Sequence, residues 1–193
     1  MKIDQEIRQY GKEHNVPITL DDTLSFLIET INNNNCKQIL EIGTAIGFGS
    51  ISIAENTNCD NIDTVEIDEE RFKIANQNIK DKQLENKITT HLIDAKLYIE
   101  NCNKTYDFIY LDGPKGQYIN YLSQLTKLLN PNGIIFADNL YFHGMVTGEI
   151  PTTKGCRAMI KGLKNYIHEI TTNPIYDTTI YDIGDGVGVT KLK

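Results

Sequence analysis

Paired cysteines and long apolar runs are both missing from this 193-residue sequence. No stretch approaches the roughly 20 consecutive apolar residues needed to cross a bilayer, and the first residues lack the apolar core of a signal peptide. The four cysteines lie far apart and form no Cys-x-x-Cys pair, so reduced thiols are favoured over disulfides or zinc ligands. We therefore expect a cytoplasmic protein with no membrane partner.

Positive charge is also scarce, because 19 Lys and Arg residues stand against 26 Asp and Glu residues and leave a formal net charge of −7. A broad, nonspecific grip on nucleic acid needs many cationic side chains on phosphates, so it is disfavoured, although a local basic patch is not. The length and ordinary composition indicate one globular domain over residues 1–193, with N-terminal helices at 1–35 and the core at 36–193.

The sequence does contain a glycine-rich turn directly after an apolar run. Residues 38–42 predict a buried strand, three glycines follow, and the pattern beyond them predicts a helix. Glycine lets a ligand approach the main chain, and the free N–H groups of a helix start favour anionic or electron-rich groups. The spacing Glu41-x-Gly43-x-x-x-Gly47-x-Gly49 differs from the Gly-x-Gly-x-x-Gly fingerprint and points away from NAD. The loop is therefore either a nucleotide-type site or a strand-to-helix turn without a ligand.

Strand and helix patterns then alternate along the chain. Further strands are predicted at 61–68, 87–93, 106–112 and 134–137, and helices at 3–14, 22–31, 68–78, 117–129 and 154–171. Asp21 or Asp22 is expected to cap the second helix, and Asp68 the helix that follows it at 68–78. Two β-rich runs at 176–183 and 187–192 flank a Gly-Asp-Gly turn and predict an antiparallel hairpin. This order predicts an α/β fold whose doubly wound, mostly parallel sheet of seven strands ends in the hairpin.

Polar residues occupy the predicted carboxyl ends of the parallel strands, where sheets of this kind bind ligands. They are Gly43, Glu66, Asp94, Asp112 and the pair Asp138-Asn139. Glu66 follows Gly43 at close to the spacing of about 20 residues at which an acid accepts hydrogen bonds from ribose hydroxyls. A strand-end carboxylate that only faces water is the alternative interpretation of Glu66.

Oxygen ligands for a metal end two of these strands. Asp112, Asp138 and Asn139 offer two carboxylates and an amide, which suit a hard divalent cation such as Mg²⁺. Such acids also often do no more than cap the next helix. Lys115 follows Asp112 closely, and an ammonium beside a cation loses its proton more easily, so this residue is a candidate general base. The alternative for Lys115 is a solvated loop lysine.

Taken together, these motifs resemble a known family. Glu41–Gly49, Glu66, Asp94-Ala95, Leu111–Tyr118 and Ala137–Asn139 are similar to the motifs of the cation-dependent S-adenosylmethionine O-methyltransferases, the group of catechol and caffeoyl-CoA O-methyltransferases. Four stretches further resemble a subgroup, the bacterial tRNA 5-hydroxyuridine methyltransferases. These stretches are His14–Ile18, Lys115–Tyr118, Asp138–Val146 and Ile183–Lys191. The resemblance covers essentially the whole chain and implies the Rossmann-like class I methyltransferase fold.

The resemblance also implies which residues bind. The predicted cofactor is S-adenosyl-L-methionine, and its expected contacts are Thr19, Glu41, Gly43, Thr44 and Gly49 at the methionine end, Glu66 at the ribose, Asp94 and Ala95 at the adenine, and Asp112. The family commonly has serine where this chain has Gly49, and Ser50 is the nearest hydroxyl that could replace it. Asp112, Asp138 and Asn139 would hold Mg²⁺ or a similar cation, and Lys115 together with Asp112 would act in catalysis.

The implied reaction is Mg²⁺-dependent methyl transfer to a hydroxyl oxygen. The subgroup indicates O5 of 5-hydroxyuridine at the tRNA wobble position as the acceptor, giving 5-methoxyuridine, with the tRNA anticodon loop as partner and a homodimer as the assembly. The alternative is a small catechol-type molecule, which the acidic net charge favours. Both acceptors present two neighbouring oxygens, so the metal chemistry does not choose between them. A noncatalytic cofactor-binding protein and an NAD-linked dehydrogenase are weaker alternatives, because the polar residues at the strand ends and the glycine spacing disfavour them.

Overall fold

Seven strands and seven helices alternate along the chain in the computed structural model, which describes residues 1–193. The strands are β1 Gln38–Ile42, β2 Asn61–Glu66, β3 Ile88–Leu92, β4 Tyr106–Leu111, β5 Leu129–Ala137, β6 Tyr176–Tyr181 and β7 Val187–Leu192. The helices are α1 Gln5–Glu13, α2 Asp21–Asn33, α3 Phe48–Asn56, α4 Glu69–Asp81, α5 Ala95–Asn101, α6 Tyr118–Leu125 and α7 Arg157–Thr172. Short 3-10 turns occupy Lys115–Gln117, Thr126–Leu128 and Lys154–Cys156.

All seven strands form one sheet in the order β3-β2-β1-β4-β5-β7-β6. Strands β1 to β5 pair in parallel, β7 pairs antiparallel with β5, and β6 pairs antiparallel with β7. The predicted seven-stranded α/β fold with a C-terminal antiparallel hairpin is therefore confirmed. The order reverses between β1 and β4, and the crevice at such a reversal is where open α/β sheets bind ligands.

The sheet divides the hydrophobic core into two layers, because successive side chains of a strand point to opposite faces. On β4, Phe108 and Tyr110 join the layer beneath α2 and α3, whereas Ile109 and Leu111 join the layer beneath α6 and α7. All four side chains are fully buried. A strand buried on both faces explains why this run reads as continuously apolar rather than alternating. None of the helices combines the length and the apolar character needed to span a bilayer.

The predicted capping residue is correct for helix α4 and wrong for helix α2. Asp68 caps α4 by accepting the backbone N–H groups of residues 70 and 71, as predicted. The predicted cap of α2 by Asp21 or Asp22 is wrong, because the residue before the helix is Leu20 and no side chain caps it. Asp22 lies in the first turn and accepts the N–H of Gly184 at 3.1 Å, so it ties this helix to the hairpin turn.

Strand β5 begins earlier than its predicted start at residue 134. Pairing with β4 jumps from Tyr106 opposite Leu129 to Phe108 opposite Ile134, so residues 130–133 bulge out of the ladder. Asn132 adopts a left-handed φ of 66° within the bulge, which fits the predicted turn. The turn is therefore present, but the strand continues on both sides of it.

Candidate active site

A cavity of about 1070 Å³ opens at the carboxyl ends of the parallel strands. Most of the residues predicted to bind or react line it, although they come from six separate segments of the chain. These residues are Thr19, Gly43, Glu66, Asp94, Ala95, Asp112, Lys115, Asp138 and Asn139. The predicted residues Glu41, Thr44 and Gly49 do not line the cavity, which gathers the rest at a single edge of the sheet.

The backbone of Gly43 forms the floor of the cavity at the reversal of strand order. Its φ is 108°, a conformation that side chains rarely adopt, and a Cβ atom here would lie 2.7 Å from the carbonyl oxygen of Asp112. Only glycine therefore allows β1 and β4 to approach this closely where they end. The backbone N–H of Asp112 continues the contact by donating to the carbonyl of Ile42 at 3.0 Å.

Glu66 is fixed by backbone donors at the end of β2. Its Oε2 accepts the N–H of Ala45 at 2.8 Å, and its Oε1 accepts the N–H groups of Ile67 and Asp68, each at 2.9 Å. Ala45 holds a left-handed φ of 48° to make its contact. Three charge-assisted hydrogen bonds hold the carboxylate in one orientation beside the cavity, while each oxygen keeps capacity to accept more.

Asp94 caps a helix, which is the alternative role that the sequence analysis gave for acids at strand ends. Its Oδ1 accepts the N–H of Lys96 at 2.9 Å and of Leu97 at 3.2 Å at the start of α5. It lines the cavity as well, next to Ala95 and near the apolar side chain of Ile93. This end of the cavity therefore combines the apolar side chains of Ile93 and Ala95 with charged side chains, because Arg71 and Lys96 line it as well.

Glu41, Thr44 and Gly49 lie behind the glycine loop. Thr64 donates to Glu41 Oε2 at 2.5 Å, and the hydroxyls of Thr64 and Thr44 are 2.6 Å apart. Burial raises the pKa of Glu41 to about 8, since almost no water reaches its carboxyl. Ser50, the expected substitute for the family serine, is buried and donates to the carbonyl of Gly47 at 3.3 Å. These residues support the loop from behind, and their direct contact with a cofactor stays a prediction.

Two carboxylates meet at the other end of the cavity. The hydroxyl of Tyr110 lies 3.2 Å from Asp112 Oδ2 and 3.5 Å from Asp138 Oδ2, so both oxygens approach one point. Burial, together with the neighbouring Asp112 carboxylate, raises the pKa of Asp138 to about 7. Burial also raises the pKa of Tyr110 well above its usual value, so the phenol keeps its proton.

Lys115 reaches this carboxylate pair from the 3-10 turn that precedes α6. Its Nζ forms an ion pair with Asp112 Oδ1, and both side chains are mostly buried, at 14% and 21% exposed. The ammonium also lies 5.9 Å from the centre of the Tyr118 ring. Lys115 is thus held at the site rather than extended into solvent. The alternative interpretation of this residue as a solvated loop lysine is therefore wrong.

The segment after β5 places a strained turn against the same end. Asn139, Phe142 and His143 adopt left-handed φ angles of 58°, 44° and 53°, which non-glycine residues rarely do. Asp185, from the hairpin turn, accepts the N–H of His143 at 2.8 Å and 3.0 Å through its two oxygens. Backbone strain of this kind concentrates at functional sites, where surrounding contacts maintain it.

Several lining residues were not singled out from the sequence as site residues. They include Ala45, Arg71, Tyr121, Phe142, His143 and Asp185. The Gly-Asp-Gly turn around residue 185 predicts a hairpin, and residues 183–191 and 138–146 resemble the subgroup. None of these signals shows which side chains face the cavity. The hydroxyl of Tyr110 was missed as well, because an apolar strand pattern gives no sign that one of its side chains reaches the rim.

Comparison with known proteins identifies the family. The family model for O-methyltransferases matches residues 3–193. Caffeoyl-CoA O-methyltransferase 2 of Eucalyptus globulus is 28% identical over 196 residues, which cover 95% of this chain and 78% of that protein. An O-methyltransferase from Bacillus cereus, solved in complex with SAH, has a TM-score of 0.83 at 22% identity over 98% of this chain and 90% of that chain, and supports the fold alone.

A further solved structure is more similar. A Staphylococcus aureus protein, named as a candidate caffeoyl-CoA O-methyltransferase, has a TM-score of 0.90 and 31% identity, and the match covers 98% of this chain and 91% of that chain. Since this relative shares the fold and the family model spans nearly every residue, this chain belongs to the O-methyltransferase family and is, as its motifs predicted, an S-adenosylmethionine-dependent enzyme.

Proposed function

We propose that this enzyme methylates O5 of 5-hydroxyuridine at the wobble position of tRNA, with a divalent cation at its carboxylate pair. The observation that carries the proposal is the meeting of Lys115, Asp112 and Asp138 at one end of a cavity whose other end holds Glu66. A base and a cation site beside a nucleoside-binding slot are the parts that methyl transfer to a weakly acidic hydroxyl requires.

The cofactor fits the half of the cavity that Glu66 and Asp94 line. Glu66 presents a fixed carboxylate that can accept the ribose hydroxyls, and the slot beside Ile93 and Ala95 suits the flat adenine. Thr19 and Gly43 lie between this half and the carboxylate pair, where the methionine part and its methyl group would lie. The arrangement directs the methyl donor toward Asp112 and Lys115.

The carboxylate pair fits a divalent cation. The buried carboxylate of Asp138 and the mostly buried carboxylate of Asp112 both approach the hydroxyl of Tyr110, and Lys115 relieves their mutual repulsion on one side. No group of three or more His, Cys, Asp or Glu side chains comes together, so a cation would rely on Asp112, Asp138, the amide of Asn139 and water. This oxygen-only set is typical of Mg²⁺ and disfavours zinc. When bound, the cation would supply positive charge that favours the ionised form of the acceptor hydroxyl.

The protein residues then carry the remaining work. The neutral amine form of Lys115 Nζ would accept the proton of the acceptor hydroxyl and so become the ammonium. The ion pair with Asp112 holds this ammonium at the end of the cavity. Phe142 and His143 form the wall beyond Lys115 and orient the ring that bears the hydroxyl. S-adenosylmethionine, when bound, would supply the methyl group, whose bond to sulfur breaks as the bond to the acceptor oxygen forms, and it would leave as S-adenosylhomocysteine. Most of the acceleration would come from the positioning of the acceptor oxygen by these residues.

A basic surface beside the cavity supports a polynucleotide acceptor. Lys154, Arg157, Lys161 and Lys164 are all exposed, and none of them forms an ion pair. In α7 the last three recur at helical spacing and share one face. The same helix packs on the turn that carries Lys115, since a Cβ on Gly162 would lie 2.4 Å from the carbonyl of Gly116. The helix that carries the basic face therefore contacts the turn beside the cavity, and its exposed cationic side chains can contact phosphates.

A small catechol-type acceptor is the second candidate. The names of the curated relatives favour it, since the Eucalyptus globulus protein is called a caffeoyl-CoA O-methyltransferase. Catechols and 5-hydroxyuridine both offer two neighbouring oxygens to the same cation, so the carboxylate pair serves either acceptor. The predicted homodimer and cytoplasmic location remain predictions beside both candidates.

The proposed function is tested on tRNA that carries 5-hydroxyuridine. The enzyme, S-adenosylmethionine and Mg²⁺ are incubated with this tRNA, which is then digested to nucleosides and analysed by mass spectrometry. We expect 5-methoxyuridine to appear with Mg²⁺ and to be absent with chelator or with the Asp138→Asn variant. No 5-methoxyuridine under any metal condition, from an enzyme that binds its cofactor, would refute the tRNA assignment.

A further inference from the structure

The hydroxyl of Tyr110 joins three separate parts of the site. It lies 2.9 Å from Thr19 Oγ1, 3.2 Å from Asp112 Oδ2 and 3.5 Å from Asp138 Oδ2. Thr19 belongs to the segment between α1 and α2, and the two acids end β4 and β5. The tyrosine side chain itself is fully buried, so no surface water supplies an alternative partner.

The chemistry of these groups fixes the direction of the hydrogen bonds. A carboxylate that binds a cation is ionised and only accepts hydrogen bonds, so in the cation-bound site the single phenol proton of Tyr110 points toward Asp112 and Asp138. The phenol oxygen then accepts from the hydroxyl of Thr19, which has a proton to donate. The result is a directed chain that runs from the cofactor side of the cavity to the carboxylate pair.

We propose that Tyr110 is a positioning residue that orients the cation-binding oxygens of Asp112 and Asp138 and ties them to the cofactor wall at Thr19. The proposal rests on the cation site of the proposed function. A hydrogen-bond donor behind a ligating carboxylate fixes which oxygen faces the metal, and losing such a partner typically weakens metal affinity about 10- to 100-fold. The ring alone cannot do this, since it only packs edge-on against Phe136 at 5.8 Å.

Tyr110→Phe removes the hydroxyl and keeps the ring, and Tyr166→Phe is its matched control. Tyr166 is also fully buried, but its hydroxyl has no hydrogen-bond partner. Mn²⁺ affinity is measured by electron paramagnetic resonance of the free ion, on protein with cofactor and without acceptor. We expect the dissociation constant to rise about 10- to 100-fold in Tyr110→Phe and to stay within about twofold of wild type in Tyr166→Phe.

Thr19→Val tests the other end of the chain with little change of shape. It leaves the carboxylates untouched, and we expect Mn²⁺ affinity to fall by roughly two- to tenfold, the range of one neutral hydrogen bond. If Tyr110→Phe does not fold, Thr19→Val tests the proposal in its place. An unchanged Mn²⁺ affinity in Thr19→Val would then refute the proposed link between Thr19 and the carboxylate pair through Tyr110.

The outcomes separate this proposal from the proposed function. If Tyr110→Phe binds Mn²⁺ as tightly as Tyr166→Phe and only its urea midpoint falls, Tyr110 contributes packing and the positioning role is overturned. If wild-type enzyme itself binds no Mn²⁺ or Mg²⁺, the cation site is wrong, and both the proposed metal chemistry and the role of Tyr110 are overturned together. If Tyr110→Phe binds Mn²⁺ more weakly and its unfolding midpoint is unchanged, the result supports the positioning role of Tyr110 and not a packing role.

Discussion

Gly49 packs directly against the buried carboxyl of Glu41, and a Cβ atom on Gly49 would lie 2.2 Å from Glu41 Oε1. The resemblance implies serine at this position, so the glycine is a departure with a structural reason. The carboxyl occupies the space that a side chain would need. A side chain larger than glycine at position 49 therefore requires the carboxyl of Glu41 to move.

Gly49→Ser is expected to destabilise the fold by about 1 to 3 kcal/mol, the usual cost of adding atoms to a packed interior. Urea denaturation measures the effect, with Gly155→Ser as the control because a Cβ on Gly155 meets nothing within 4 Å. Equal unfolding free energies for the two variants would mean that Glu41 moves aside readily and that the close packing is not restrictive.

Glu41 should also make stability depend on pH. An unfolded Glu titrates near pH 4.3, whereas the pKa of Glu41 in the fold is about 8. Between these values the folded protein binds more protons than the unfolded chain, so the free energy of unfolding falls as pH rises through this window. The total effect is at most about 5 kcal/mol, since the window spans just under four pKa units and one unit corresponds to about 1.4 kcal/mol.

Glu41→Gln removes the titrating group and should flatten this slope, while Glu85→Gln, at an exposed position, should keep it. Urea unfolding at several pH values between about 4.3 and 8 measures both variants. An identical slope in wild type and Glu41→Gln would show that the carboxyl is ionised in the fold.

Glu66→Gln is expected to weaken S-adenosylmethionine binding by about 1 to 3 kcal/mol, because the amide loses the charge that strengthens hydrogen bonds to ribose hydroxyls. Calorimetric titration measures the affinity, and Glu70→Gln, an exposed neighbour on α4, is the control. If Glu66→Gln and Glu70→Gln bound the cofactor with the wild-type affinity, the ribose role would be wrong.

The sheet and the polar residues at its ligand-binding edge could be predicted from the sequence, because both follow from local patterns. Alternating strands and helices define a doubly wound sheet. The carboxyl ends of its parallel strands meet at one edge, so Glu66, Asp112 and Asp138 come together there whatever the exact packing of the helices. The cap of α2 could not be predicted, because Asp22 instead meets Gly184, which is remote in sequence. The same holds for the contact between Asp185 and His143, which depends on how the hairpin packs beside β5.

Reversing charge on the basic face should weaken tRNA methylation specifically. Arg157→Glu combined with Lys161→Glu is expected to raise KM for tRNA at least about tenfold and to reduce its salt dependence, because phosphate contacts are lost. KM for cofactor should not change. Lys12→Glu combined with Lys80→Glu, on exposed positions of α1 and α4, preserves the same net charge change and should have little effect. If both double variants raised KM for tRNA equally, the change would come from the overall charge of the protein and not from contacts made by the basic face.

Lys115→Ala should lower turnover by roughly 100- to 10,000-fold, the usual contribution of a positioned general base. Cofactor affinity should change little, because Lys115 contacts Asp112 rather than the slot beside Glu66. Single-turnover rates across a range of pH check this prediction. If Lys115→Ala and wild type reacted equally at every pH, Lys115 would not be the base.

The central claim is that this O-methyltransferase acts on tRNA and needs a divalent cation to do so. The most direct test is a competition in one vessel, in which labelled S-adenosylmethionine and Mg²⁺ are offered with tRNA bearing 5-hydroxyuridine and with a simple catechol. The account predicts that label enters the tRNA with the higher kcat/KM and that chelator abolishes it. Label in the catechol alone would contradict the tRNA assignment, and label that persists in chelator would contradict the metal chemistry.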